Sequence, residues 1–327
     1  MSEVLTLADW AKRLDPDGRV DKIVEMLAQK NEILDDMLFV EGNLPTGHRT
    51  TVRAGLPSAA WRMLNYGVQP SKSKTKQVTD TAGMLEAYAE VDKDLADLNG
   101  NTPQFRLSED KAFLEAMNQQ MAQTTFYGNT STNPERFLGL APRFNDPSAD
   151  NGENILNGGG SGSDNTSVWL AVWGNDTCHG IFPKGTKAGL QHKDLGEVTL
   201  EDDAGGKYQG YRTHYQWKTG LTLRDWRYVV RIANVDVSNL TKDASSGADL
   251  IDLMTQALEI PPDLSSGRAA FYCNKTIRSF LRRQIRNANN VHINMDEVAG
   301  KKVVSFDEVP VRRCDQILNT EAALSFS

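Results

Sequence analysis

The clearest pattern lies in the middle of the chain. Tyr211, Thr213, Tyr215, Trp217, Thr219, Leu221 and Leu223 take the odd positions, and Arg212, His214, Gln216, Lys218, Thr222 and Arg224 the even ones. Alternation of this length predicts a strand with one apolar face. At Asp225 the register flips, because Trp226, Tyr228, Val230 and Ile232 are even-numbered, and a bulge or tight turn there would re-aim the face. The whole of 168–237 reads as rich in strands. A second alternation sets Leu85, Ala87, Ala89 and Val91 against Glu86, Tyr88, Glu90 and Asp92. It predicts a strand to about Val91 and then a short helix ending at Gly100. Met84, Tyr88, Val91, Leu95 and Leu98 also fit a helix, and periodicity alone does not separate the two.

Helical spacing is plainer elsewhere. Phe113, Leu114, Met117 and Met121 form a narrow stripe, with Ser108 placed to cap it, Glu109 and Asp110 to complement the dipole, and Gly128 to close it. This predicts a helix over 108–127. Asn118, Gln119, Gln120 and Gln123 fill much of its remaining surface, so it lies across a surface instead of through a core. Pro134 to Leu140 reads as a compact junction. Leu250, Ile251, Leu253, Met254, Ala257 and Leu258 make a helix stopped by Pro261-Pro262. Ala269 to Cys273 reads as a short buried strand, and Ile277, Phe280, Leu281 and Ile285 as the apolar face of a further helix. Val303–Phe306 and Val309–Val311 finish the chain as strands. Arg278, Arg282 and Arg286 line the other side of the last helix, joined by Arg283, and from Arg268 to Arg286 six residues are basic and none acidic. A solvated face is the ordinary reading; a charged contact to a partner protein or nucleic acid is the alternative.

Three stretches lack the pattern of a self-contained core. In the first 44 residues, Leu5 to Leu14 suggest a short helix ending at Pro16-Asp17-Gly18, and Val20, Ile23, Val24, Leu27, Leu34 and Leu38 a second one. They form either an ordinary two-helix start or an arm docked on a neighbour. Residues 45–83 are punctuated by Pro45, Gly47, Gly55, Pro57, Gly67 and Pro70, with extended runs at Arg49–Arg53 and Ser71–Thr79. Lys72, Lys74 and Lys76 share one face of the second run, and Ser71, Ser73 and Thr75 the other, so neither face suits burial. The segment is either a solvated hairpin guarded by lysines or a two-stranded arm lying across another molecule, with Trp61, Met63, Leu64 and Tyr66 as its apolar patch. Residues 145–167 read as a flexible, glycine-rich loop.

Composition narrows the class. The 327 residues correspond to about two domains. The formal charge of −7 speaks against a globally basic nucleic-acid binder. Hydrophobic content of 39% and a mean hydropathy of −0.48 suit a chain with much exposed surface. The longest apolar run, Val168–Trp173, is too short to cross a membrane. Three cysteines do not build a disulfide framework and fit a reducing interior.

Candidate chemistry is sparse. Gly180 to Lys187 resembles a phosphate loop, but Thr186 and Lys187 stand in the wrong order and Pro183 stiffens it. Cys178, His179 and His192 suggest a nucleophile pair or a partial zinc site. Adjacent strand side chains point apart, however, and no CxxC or HxxxH spacing completes a metal set. Trp169, Trp173, Trp217 and Trp226 are either core aromatics or a sugar platform. No catalytic, cofactor-binding or metal-ligating residue is assigned.

The arrangement as a whole resembles the major capsid proteins of tailed bacteriophages, of the Hong Kong 97-type fold, and among them those of short-tailed phages. The likeness is carried by Gly55-Leu56-Pro57, Trp61-Arg62 and Gly67, and by Arg136-Phe137-Leu138-Gly139-Leu140. It continues in Trp217–Arg231, Ala269–Leu281 and Val309–Asp315. It implies an α+β fold with an N-terminal arm (1–44), an extended hairpin or E-loop (45–83), a peripheral domain with a spine helix (84–240) and an axial domain (241–327). It further implies a non-enzymatic shell subunit without cofactors, found in the virion and made in the host bacterial cytoplasm. Its partners would be copies of itself in pentamers and hexamers, a portal protein and a decoration or cement protein. It would enclose double-stranded DNA without sequence-specific binding and touch no membrane. Some relatives carry a scaffolding segment before the E-loop; the 44 residues here imply a separate scaffolding protein. In many relatives the Pro-Val strand precedes the last peripheral strands, whereas Pro310-Val311 follows the aromatic ones. The expected intersubunit contacts are Lys72, Lys74, Lys76, Trp61 and Arg62 on the loop and Arg278, Arg282 and Arg286 on the basic helix. Alternatives are an encapsulin-like compartment shell, a phage tail-tube protein, a Trp-lined carbohydrate-binding module and a Cys–His hydrolase.

Overall fold

The computed structural model describes residues 29–98, 102–202, 204–241, 247–287, 293–298 and 301–326. The helix expected over Leu5–Leu14 and the start of the one expected from Val20 lie outside them. Strands β1 (Phe39–Glu41), β2 (Gly47–Gly55), β3 (Lys74–Asp92), β4 (Ile155–Asn157), β5 (Asn165–Trp173), β6 (Cys178–Phe182), β7 (Gln191–Glu201), β8 (Lys207–Leu223), β9 (Val229–Asp236), β10 (Arg268–Cys273), β11 (Ile293–Val298), β12 (Lys301–Phe306) and β13 (Val309–Arg313) form one sheet. Its order is β11-β12-β13-β10-β5-β6-β8-β3-β2, with β1, β4, β7 and β9 attached at its sides. The helices are α1 (Ile33–Asp36), α2 (Lys93–Asp97), α3 (Thr102–Tyr127), α4 (Leu250–Glu259) and α5 (Lys275–Asn287).

The middle of the sheet is apolar on both faces, and β5 is buried at all nine positions. Trp169, Ala171 and Trp173 face Met121, Phe126, Phe137, Leu140 and Phe144. Val168 and Leu170 point the other way, toward Leu250, Met254, Ile277 and Leu281. One layer is therefore built from α3 and the Pro134–Leu140 junction, the other from α4 and α5.

The alternation at Leu85–Val91 gives the strand, continued to Asp92, whose side chain caps α2 by accepting from the Asp94 and Leu95 amides. The flip at Asp225 is a tight turn: Asp225 caps a single 3-10 turn at Trp226–Tyr228. The strands on its two sides do not pair. β8 runs beside β3, β6 and β7, and β9 beside β4 and β5. The hairpin from β12 to β13 turns through Asp307 and Glu308, with φ of 43° and 69°, the left-handed pair a two-residue turn needs.

Three expectations are corrected. The long helix starts at Thr102, so Ser108 is not its cap and Glu109 and Asp110 are not in its first turn. Pro103 suits that first turn, and Phe105 packs with Val91, Leu95 and Ala96, which holds the added turns in place. The stretch 145–167 is not a plain loop: it carries a 3-10 turn at Gly152–Asn154 and a short strand, and its second half is tied to β9 and β5. Residues Ile155–Asn157 pair with β9, the Gly158 and Gly160 amides donate to the Ala233 and Asn234 carbonyls, and Asn165, Thr166 and Ser167 are buried at the start of β5. A Cβ on Gly158 would lie 2.8 Å from the Asn234 carbonyl oxygen, so there the glycine serves close backbone approach. The second N-terminal helix does not reach Leu38. α1 ends at Asp36, and Phe39–Glu41 instead pairs parallel with β6, where the open edge takes up its backbone groups. Strand β11 had no counterpart in the sequence reading.

Candidate intersubunit surfaces

A single strand joins the extended loop to the body. Residues Lys74–Thr81 of β3 pair with β2, and Ala82–Asp92 pair with β8. At about 3.3 Å per residue, the 19 residues of β3 span roughly 60 Å. The change of partner is anchored by a buried ion pair, Arg143 Nη2 to Asp80 Oδ1 at 2.8 Å. The same guanidinium nitrogen donates to the Leu138 and Leu221 carbonyls. His48 lies opposite Asp80 in register, 3.1 Å from Arg224, and its ring meets that of His179 edge-on at 6.1 Å.

Beyond Gly55 the chain carries no strand until Lys74, and its apolar side chains project. Trp61 is fully exposed, and Leu56, Met63, Leu64, Tyr66 and Val68 are more than half exposed. Arg62, Lys72, Lys74 and Lys76 are exposed beside them, and both faces of the lysine run meet solvent. Among the described residues nothing covers the apolar patch, an arrangement typical of interaction surfaces.

The basic helix lies far along the sheet. α5 packs on β13, five strands from β3, so the loop residues and the arginines are not brought together. Arg278, expected on the outer face, is mostly buried and turned toward Glu32 of its own chain at 3.8 Å. Arg282 is exposed, and Arg286 lies one turn further along the helix. Glu32, held below the usual carboxylate range by Lys30, Arg278 and the Arg313 amide against the opposing effect of burial, is a partner that sequence reading missed. So is Asp36. It is buried, it accepts a hydrogen bond from Tyr272 Oη at 3.0 Å, and it pairs with Arg312 Nε at 3.1 Å. Burial pushes its carboxyl up despite these partners. Tyr272 lies 236 residues from Asp36, a spacing with no local signature.

The arrangement supports no catalytic constellation at the residues considered. Cys178 packs on the face of Trp169 and Trp173, while its strand neighbour His179 faces the other way. His192 lies opposite Tyr215 on β8 and Cys178 opposite Leu223, about 26 Å apart along that strand at 3.3 Å per residue. Burial pushes the thiols of Cys178, Cys273 and Cys314 up to about 12, which disfavours the nucleophilic thiolate. Residues 180–182 are strand, with Gly180 against the Phe39 ring, so no helix follows to cradle a phosphate. Trp169 and Trp173 are core residues. Among the described residues no group of three or more His, Cys, Asp or Glu side chains is placed to hold a metal, and no helix is long and apolar enough to cross a membrane.

No curated protein matches the sequence. The family model "Major capsid protein GP7" matches residues 15–325. Among solved structures, a chain of bacteriophage epsilon15 is 42% identical, with all of both chains covered and a TM-score of 0.79. The capsid of bacteriophage JBD30 is 8% identical over 93% of this chain and 99% of that one, with a TM-score of 0.50, a likeness of fold alone. An encapsulin of Synechococcus elongatus PCC 7942 reaches a TM-score of 0.44 at 10% identity over 72% of this chain and 99% of that one, from which nothing about function follows. The mixed sheet-and-helix architecture is thus the Hong Kong 97-type fold, and the chain, matched over nearly all its length, belongs to the GP7 family of phage major capsid proteins.

Proposed function

We propose that copies of this chain, arranged as pentamers and hexamers, build the icosahedral head shell of a tailed phage around double-stranded DNA that they do not read. The observation that carries this reading is the arm left uncovered among the described residues: a polar two-stranded ribbon tipped by Trp61, Met63 and Leu64, continuous with the body through β3. Such a segment gains stability only when another molecule covers it, which couples folding to assembly. In this reading 45–83 is the E-loop, 84–240 the peripheral domain and 241–327 the axial domain, whose apolar cluster also takes in β5 and β9. The arm expected over 1–44 lies, up to residue 28, outside the described residues. The role is structural, without catalysis.

Trp61 and Arg62 dock on an adjacent subunit, and Lys72, Lys74 and Lys76 meet acidic residues of an adjacent capsomer. Arg282 and Arg286 belong to a basic face that meets acidic surfaces of neighbours at the capsomer centre, with Arg278 behind them turned to Glu32 of its own chain. A separate scaffolding protein guides assembly in the bacterial cytoplasm, a portal protein occupies one vertex, and a cement protein decorates the shell. An acidic subunit also suits a wall that does not adhere to packaged DNA, because phosphate binding needs clustered cations.

Expression with and without the scaffolding protein, followed by negative-stain electron microscopy, tests the reading. Closed shells are expected; tubes or monomers under both conditions would overturn it. The K72A/K74A/K76A variant is expected to assemble with a weaker dependence on salt, and a salt profile matching the parent would remove the lysine contact.

A further inference from the structure

Charge is segregated within one layer of the fold. The exposed stripe of α5 is Lys275, Ser279 and Arg282, spaced i, i+4, i+7, and Arg283 flanks it with its guanidinium 4.1 Å from the Phe280 ring centre. Lys275, Arg278, Ser279, Arg282, Arg283 and Arg313 surround an open cleft of about 310 Å³. Arg278 is turned to Glu32, and Arg313 is paired with Asp315 at 2.8 Å. Lys275 makes no ion pair within 4 Å but lies near enough to Asp315 to help hold its carboxyl down, and Arg282 meets no carboxylate among the described residues.

Helix α4 repeats the geometry with the opposite sign. Its exposed stripe is Asp252, Gln256 and Glu259, again i, i+4, i+7. From Asp249 to Asp263 there are four acidic residues and no basic one. Asp249 and Asp263 are engaged as caps of backbone amides. Asp252 accepts only from Gln256, at 2.7 Å, and neither it nor Glu259 meets a cation among the described residues.

The two helices cover the same sheet face, since Met254, Ala257, Ile277 and Leu281 share one apolar cluster. They sit on opposite flanks of it, however: α5 lies against β13 and α4 against β9, in the order β13-β10-β5-β9. Three strand spacings separate the flanks, about 14 Å. A subunit with a basic flank and a matching acidic flank is complementary to its own copies head to tail, which is the contact type that closes into rings. Complementary potential also steers such surfaces into register.

We infer that the acidic surface met by the basic face of α5 is the Asp252–Glu259 stripe of α4 on the next copy of this chain, a contact repeated around each capsomer. The inference rests on the shell reading and names both halves of the contact. Lys275 and Arg282 face Asp252 and Glu259, with the serine and glutamine at the centres of the two stripes apposed.

Charge-reversal variants test it in the full chain, with capsomers followed by mass photometry and negative-stain microscopy, and folding checked by circular dichroism. K275E/R282E/R283E makes both flanks acidic, and D252K/E259K makes both basic. Each alone is expected to lose at least tenfold of its assembled fraction while keeping the parental spectrum. The variant carrying all five substitutions restores rings, because the swap preserves complementarity. An equimolar mixture of the two single-flank variants gives rings with even numbers of subunits only, because each reversed chain accepts only the other. Assembly of either variant alone at the parental concentration overturns the inference. So does a folded five-fold variant that fails to assemble, or a mixture that stops at two-chain pairs. A parent chain that stays monomeric both with and without the scaffolding protein overturns the shell reading itself, and the contact with it.

Discussion

Arg231 and Glu321, ninety residues apart in sequence, form an ion pair at 2.8 Å with both side chains only 5% exposed. Glu321 accepts from Tyr127 Oη at 2.5 Å and from Ser167 Oγ, while Arg231 donates to the Phe144 carbonyl and lies over the Trp169 ring. The pair fastens the C-terminal segment across β5, β9 and the end of α3. Removing one partner leaves a buried charge uncompensated, which costs about 3–5 kcal/mol. Glu321→Ala is therefore expected to lower the unfolding free energy obtained from urea titration by that amount, with the midpoint falling accordingly. R231M/E321L is expected to recover most of the loss, because it removes both charges together. Equal midpoints for Glu321→Ala and the parent would show that the tail is not fastened by this pair.

The histidines at the root of the arm set a dependence on pH. Burial, reinforced by Arg224, pushes His179 down to about 4, and His48 is lowered for the same reasons. Above the ordinary histidine range both folded and unfolded forms are neutral there, and the full stability is present. As pH falls from about 6.5 toward 4, the unfolded chain takes up protons that the folded chain refuses, and stability falls. Below about 4 the folded ring is protonated too, and His179 adds no further slope. His179→Leu is expected to flatten the unfolding free energy against pH between about 6.5 and 4. An unchanged slope would place the acid sensitivity elsewhere.

Gly128 ends the long helix where no side chain fits. Its amide donates to the Thr124 carbonyl, and an added Cβ would lie 2.3 Å from the Phe137 carbonyl oxygen and 2.6 Å from that of Thr124. These are backbone atoms of the junction and of the helix itself, so neither yields by a rotamer change. Gly128→Ala is expected to destabilise by about 1–3 kcal/mol through overpacking, with the thermal midpoint falling accordingly. An alanine variant as stable as the parent would mean that the junction re-forms around it.

Much of the local structure was legible in the sequence. The alternation of β8, its break at Asp225, the cap-and-proline limits of α4 and the two-faced polarity of Ser71–Thr79 all report forces acting within a few residues. The helix start was misjudged because Ser108 and its acidic neighbours look like a cap, whereas Phe105 is held by Val91, Leu95 and Ala96 from before the helix. The glycine-rich stretch before β5 was misjudged because glycine signals flexibility and close backbone approach alike. The arginine face was read from helical spacing, which placed Arg282 on the outside. Spacing did not reveal that Arg278 turns to a carboxylate 246 residues away in sequence, at Glu32.

What the sequence by itself determined was the set of elements, the absence of a recognisable catalytic motif and the presence of a ribbon with no face fit for burial. These follow from periodicity, turn chemistry and composition, which are local properties of the chain. Only the tertiary structure decided which charges are spent internally and which remain exposed. Arg231 and Glu321, Arg143 and Asp80, and Asp36 and Arg312 meet across long sequence separations because the sheet order brings their strands and loops together. The same order sets the acidic stripe of α4 and the basic stripe of α5 on opposite flanks of one layer, where neither reaches the other within a single chain.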